Sequence, residues 1–454
     1  MRGKTAFGAG LTLPSALRRS MAGLSLAGLG LANAGCSSFR SAANAEGPVW
    51  KHHAAGVIQL EFTRKLVAPS RKDGEPYERG QPEIDAAGKR VFVGSSDGGL
   101  YAIHANSGET IWRFQTLSYV QSRPLYNANE DALYFGSHDG ALYKVAARSG
   151  ALVWRLSTNA EIARQPILRG DSLYFANAND TLIAADRVTG KTLWTYHRTP
   201  AAGMEVAGYS GPAVGSGLVY MGFSDGTATA VDAKTGEERW QPVDLASEAE
   251  EARGEVPKYL DVDTTPLLTT IQAGPVAIFG SYEGGVYALD AELGTQIWSN
   301  TQAHGVSDLE LWEQPSYERD GQFFPGRRLV LVSTGTQGLW ALDPDTGEEI
   351  WRRDLPHGGV SHPVAVAGAI LIGASQLGLY LLSPIDGSLI DGIHLDAGAS
   401  GTPAALGRRA YLLTNGGQFL GLSINAPGDD GQQPNYGQLE SRWDAPKYGF
   451  GKAQ

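Results

Sequence analysis

The chain of 454 residues carries 37 basic against 48 acidic side chains, a formal charge of -11, which argues against a nucleic-acid surface because phosphate binding needs clustered Lys and Arg. Its length allows one large all-β domain or two to three ordinary ones, and its 59 glycines, 23 prolines, 10 tryptophans and 18 tyrosines suit short strands and tight turns better than long helices. The single cysteine, Cys36, excludes an intramolecular disulfide, a CxxC redox pair and a thiolate zinc cluster.

At the N-terminus, Arg2, Lys4, Arg18 and Arg19 precede a small, apolar run from Met21 to Gly35 that ends at Cys36-Ser37-Ser38. A charged region, a short apolar region and small residues before a cleavage point are the layout of a secretory signal. The run is too short and too rich in Gly and Ala for a membrane-spanning helix. Ala34-Gly35-Cys36 is similar to the bacterial lipobox, whose cysteine becomes the acylated first residue of the mature chain. Asn33 departs from that pattern, standing where an aliphatic is usual, and cleavage at a nearby Ala-x-Ala-like site is the alternative. Residues 1–35 are therefore expected to be a lipoprotein signal, and 36–56 a flexible linker from lipidated Cys36.

Residues 57–67 alternate apolar and polar, as a half-buried strand does. A repeat follows. Six segments ending at Trp112, Trp154, Trp194, Trp240, Trp298 and Trp351 share a Gly four residues before the Trp, usually with an Asp four residues before that Gly. Upstream of them stand strand-hairpin-strand patterns such as "VFVGSSDGGLYAI" and "LYFGSHDGALYKV", with Asp/Glu-Gly turns. A proline opens each unit: Pro82, Pro124, Pro166, Pro212, Pro266, Pro315, Pro363 and Pro403, at separations of 42, 42, 46, 54, 49, 48 and 40 residues. Eight such units predict an all-β, eight-bladed β-propeller of four-stranded blades over 57–424. Trp is expected to wedge between blades, where its indole N–H can still find a carbonyl. The last units degenerate: Asp391 stands where Trp would be, and nothing follows residues 411–424 to make a final strand. The 57–67 segment can supply that strand from the other end and close the ring. The polar tail 425–454 is expected to be disordered.

From each Trp to the next proline the gaps are 12, 12, 18, 26, 17 and 12 residues. Three consecutive enlarged connections carry Met204, Val206, Leu309, Leu311 and Trp312 among acidic residues, which reads as a partner-binding surface with apolar anchors. The second of them ends in "KYLDVDTTPLL". In an extended segment residues two apart point the same way, so Asp261 and Asp263 can offer two carboxylates to a partner's Arg or Lys. An Asx-type turn, with each Asp accepting from local backbone, is the competing reading. No motif supplies companion metal ligands for the pair, and neither an HExxH, a nucleophile elbow nor a P-loop is present. No metal site and no catalytic residues are expected.

The repeat resembles that of quinoprotein-like propellers, a superfamily of pyrroloquinoline-quinone dehydrogenases and non-enzymatic relatives. Within it, an eight-bladed lipoprotein with "DVDTTP" opening the fifth blade resembles the BamB-type outer-membrane β-barrel assembly lipoproteins. The resemblance implies no enzymatic activity and no cofactor. It implies a lipid-anchored scaffold on the periplasmic face of the outer membrane, docking through Asp261 and Asp263 on a BamA-type subunit and assisting nascent β-barrel proteins. Met204 and Val206 keep the apolar character of the family's other contact stretch, whereas Ala207 stands where the family has arginine. Ser37 is compatible with outer-membrane sorting. The alternative is a quinone-dependent dehydrogenase or small-ligand-binding propeller, although those enzymes are typically longer and often carry adjacent cysteines.

Overall fold

Each repeat folds into a four-stranded antiparallel sheet whose second and third strands are buried on both faces. That is why these strands read as near-continuous apolar runs: Ala132–Ser137 is buried at every position, while the outer strand Leu152–Ser157 is not. The computed structural model describes residues 56–425 except 67–77, 86, 88, 201–208, 246, 248–258, 260, 315, 320–321, 356–357 and 396. Among the described residues there are eight four-stranded sheets. Blades 1 to 7 span 83–115, 125–157, 167–197, 213–244, 267–300, 306–353 and 364–394, and blade 8 spans 404–424. The fourth strand of blade 8 is Ile58–Lys65, antiparallel to Gln418–Ile424 with Ile58 opposite Ile424. The N-terminal strand therefore closes the ring, as its alternation predicts.

The hydrophobic core lies between blades. Phe92 and Leu100 of blade 1 pack with Phe135 and Tyr143 of blade 2, and Phe62, Tyr411 and Phe419 of blade 8 pack with Val91 and Tyr101 of blade 1. The repeat tryptophans lock these contacts. The indole N–H of Trp112 donates to Ala147 O at 3.0 Å, Trp154 to Arg187 O at 3.2 Å, Trp194 to Ala233 O at 3.1 Å and Trp298 to Pro344 O at 3.0 Å, each in the next blade. The repeat Gly of that next blade sits on the ring: a Cβ added at Gly347 would lie 2.4 Å from Trp298 Cε3. So Gly is required there for close approach as well as for its φ of +73°.

Blade 6 departs from the sequence reading. Its inner strand is Val306–Gln314, paired with Arg327–Thr334, and it precedes Pro315 rather than following it. Asp308 pairs after a register shift from Val306, and Leu309 takes the place that proline holds in the other blades. The extra residues form a hairpin, Tyr317–Arg319 with Gln322–Phe324, between the inner and second strands. "HGVSDLELWEQ" is thus mostly strand, and of the three connections that the Trp-to-Pro spacing marks as enlarged only those entering blades 4 and 5 are so. Because strands alternate direction, those connections emerge on the same face as the hairpins joining second to third strands.

Candidate functional site

Asp261 and Asp263 lie on the segment that enters blade 5, clamped between two hairpins. Val262 N–H donates to Phe223 O at 3.1 Å and Tyr282 N–H donates to Asp261 O at 3.0 Å. Val262 also fills space that a side chain at Gly222 would need, with a Cβ there 2.3 Å from Val262 Cγ1. Downstream, Gly280 N–H donates to Thr264 Oγ1 at 2.8 Å. The same hydroxyl-to-glycine bond recurs as Ser122 with Gly136 and Ser361 with Gly373, so Thr264 belongs to the scaffold.

Both carboxylates are nearly buried, with Asp261 2 % and Asp263 5 % exposed. No hydrogen bond reaches the Asp263 carboxylate among the described residues, so an Asx-type turn does not hold this side chain. Burial pushes its pKa up to about 7, reinforced by the negative charges of Asp261, Asp180 and Asp308, with Arg164 opposing. Asp180 comes from the hairpin of blade 3, where it holds φ +48° at the place that Gly98, Gly140 and Gly226 occupy in blades 1, 2 and 4. It accepts from Ser224 N at 3.2 Å and from Ser224 Oγ. Burial raises its pKa too, against those bonds.

Arg164, from the start of blade 3, joins the parts of this site. Its Nε donates to Tyr209 O at 2.7 Å, its Nη2 to Asp263 O at 2.8 Å and its Nη1 to Asp308 Oδ1 at 3.2 Å. Blades 3 and 6 are three apart in a ring of eight, so the Arg164–Asp308 pair crosses the central channel. Close by, His362 of blade 7 faces Glu310 at 3.1 Å and Asp308 at 4.0 Å. Burial pulls its pKa down, but the Glu310 bond and the two acidic charges outweigh this and hold it above the ordinary value. Arg123 of blade 2 pairs with Glu83 of blade 1 at 2.8 Å. Burial holds Glu83 above the usual carboxylate range in spite of that pair.

Such an axis is a poor seat for pyrroloquinoline quinone. That cofactor is a planar tricarboxylate and needs uncommitted cations, whereas Arg123 and Arg164 are both spent on carboxylates and Glu83, Asp263, Asp308 and Glu310 add negative charge. Among the described residues no group of three or more His, Cys, Asp or Glu is placed to hold a metal ion.

The structure brings together Asp261 and Asp263, but Met204, Val206 and Ala207 lie outside the described residues, as does Cys36. Leu309 and Trp312 are not surface anchors: they are 5 % and 1 % exposed and belong to inter-blade cores, with Leu311 packed alongside. They face inward because their segment is a strand. Sequence reasoning missed Arg164, Asp308 and His362. A signal existed for the first: the hydroxyl or glycine position two before the opening proline reads Gly80, Ser122, Ser210, Thr264, Ser361 and Gly401, and Arg164 alone breaks it among these proline-opened blades.

A family model described as outer membrane protein assembly factor BamB matches residues 42–130, 121–344 and 284–428. Proteins of that name include one from Burkholderia pseudomallei, 25 % identical over 417 residues (89 % of this chain, 98 % of the relative), and one from Vibrio cholerae, 29 % identical over 374 residues (81 % and 91 %). Against a third, from Legionella pneumophila, the match is 27 % identical but covers 48 % of this chain and only 51 % of the relative. Among solved structures, BamB from Moraxella catarrhalis superposes with TM-score 0.62 at 19 % identity, covering 81 % of this chain and 99 % of that one. A quinohemoprotein alcohol dehydrogenase from Comamonas testosteroni superposes with TM-score 0.60 at 14 % identity (82 % and 77 %). These two share the fold, and the sequence matches separate them: the chain belongs to the family of the outer membrane protein assembly factor BamB.

Proposed function

We propose that the protein is a non-catalytic scaffold of outer-membrane β-barrel assembly, tethered by a lipid on Cys36 on the periplasmic side, docking on a BamA-type subunit and assisting barrel proteins. The observation that carries the docking reading is the Asp263 carboxylate, which is buried, receives no hydrogen bond from the described residues and is surrounded by Asp261, Asp180 and Asp308. Such a group gains most from a cation brought by a partner, because a charge-assisted bond in a desolvated site is strong. Asp261 and Asp263 supply the acidic contacts and Met204 and Val206 the apolar ones. Since both carboxylates are buried in the free protein, docking has to uncover them.

Pull-down from native membranes tests this. Wild type should recover the barrel-assembly subunit, and Asp261→Ala/Asp263→Ala should recover far less. Equal recovery would remove the two aspartates from the interface, and no recovery by wild type would remove the role. The ion-paired axis speaks against the quinone-dependent alternative.

A further inference from the structure

We infer that Arg164 is the positioning residue of this docking face, a single guanidinium that holds the segments entering blades 4 and 5 and the inner strand of blade 6 in one arrangement. The inference rests on the docking reading. Its three acceptors come from those three segments: Tyr209 O, Asp263 O and Asp308 Oδ1. A planar fork with five N–H donors can serve three acceptors in fixed directions, which an ammonium on a flexible stem does not.

The surroundings are shaped for it. Gly211 has no side chain beside it; a Cβ there would stand 3.3 Å from Arg164 Cβ and 2.5 Å from Thr265 Oγ1. Tyr209 is held a second time, its hydroxyl donating to Glu161 O at 2.9 Å and accepting from Ala163 N–H. The blade 4 and 5 segments are joined directly where Ser210 Oγ donates to Thr264 O at 2.7 Å. Among the described residues Arg164 is also the one cation of the charged groups acting on Asp263; the others are Asp261 on the same segment, Asp180 from blade 3 and Asp308 from blade 6. Behind Asp308 stand His362 and, paired with it, Glu310. Losing Arg164 thus loosens three segments and makes Asp263 harder to ionise.

The test compares Arg164→Gln and Arg164→Lys with Arg90→Gln, which breaks an ion pair remote from the site, Arg90–Asp131 at 2.7 Å. In the free full-length protein, hydrogen exchange at the Val262 and Tyr282 amides should rise by about tenfold in Arg164→Gln and stay unchanged in Arg90→Gln. Lys should restore little of the protection. Unchanged exchange overturns the positioning role whether or not a partner is found. In the membrane pull-down, Arg164→Gln should lower recovery by roughly fivefold or more at neutral pH and move the pH dependence of recovery upward, a shift that mere loss of stability does not produce. Faster exchange with unaltered recovery and pH profile overturns the docking role of Arg164. Failure of wild type to recover the subunit overturns the docking reading itself and with it this consequence, while the exchange data still decide the positioning.

Discussion

The Asp391 carboxylate, through Oδ2, accepts the backbone N–H groups of both Val57 and Ile58 at 2.8 Å, joining blade 7 to the strand that closes blade 8 across more than 330 residues. The residue that looks like a decayed repeat position is the anchor of the closure. Two charge-assisted bonds in a buried setting make Asp391→Ala expensive, by about 3 kcal/mol, measured by urea unfolding. Asp391→Asn, which keeps one carbonyl oxygen for both donors, should cost clearly less. Restoring the repeat with Asp391→Trp should not rescue the loss.

Asp263 makes stability depend on pH in an unusual direction. Its carboxyl ionises near 7 in the fold against an ordinary 3.8, so between those values the native state holds a proton that the unfolded chain has released. Stability from this group is therefore full below about pH 4 and falls as pH rises towards 7. Asp263→Asn should match wild type near pH 4 and exceed it at pH 8 by roughly 2 to 4 kcal/mol. Equal stability at pH 8 would show that the carboxylate is solvated.

The same group ties docking to pH. A partner's cation needs the ionised form, while Asp261, Asp180 and Asp308 resist it and Arg164 favours it. Recovery of the barrel-assembly subunit should strengthen from pH 6 to pH 8 in wild type and be weak and flat in Asp263→Asn. A flat wild-type profile would mean that Asp263 does not meet a cation.

Gly347→Ala should destabilise by about 2 to 4 kcal/mol, combining a left-handed φ with overpacking against the Trp298 ring. Gly170→Ala is the control. It has φ +59° but nothing within 4 Å of an added Cβ, and it should cost only about 1 kcal/mol. The difference in urea midpoints isolates the glycine-indole contact.

Trp312→Ala should lose about 3 to 5 kcal/mol, as expected of a residue buried between blades 6 and 7. Partner recovery per folded molecule should be unchanged, since Trp312 is not on the surface. A selective loss of binding at full stability would return it to the interface.

Much of the architecture was legible because it is periodic. Pairs such as Gly347 with Trp298 recur at a fixed spacing, and each reflects a local demand, a positive φ or a large wedge that still needs a carbonyl. The alternation of residues 57–67 similarly announced a strand. Blade 6 was misread because Pro315 imitates the repeat marker. The inner strand had already formed ahead of it with Leu309 in that role, and Leu309 and Trp312 went inward with it. At the site, "DVDTTP" marked Asp261 and Asp263, but their burial was hidden, since it depends on what the hairpins of blades 4 and 5 place around them.

The amino-acid order settled the repeat unit, the number of blades and the closing strand, because hydrophobic period, turn glycines and wedge residues act over a few neighbours. Only the closed ring decided which charges meet. Arg164 and Asp308 stand 144 residues apart, and they touch because ring closure brings blades 3 and 6 to face one another across a narrow channel. Desolvation there, which no local pattern encodes, turns Asp263 from an ordinary surface acid into a group poised to ionise near neutral pH.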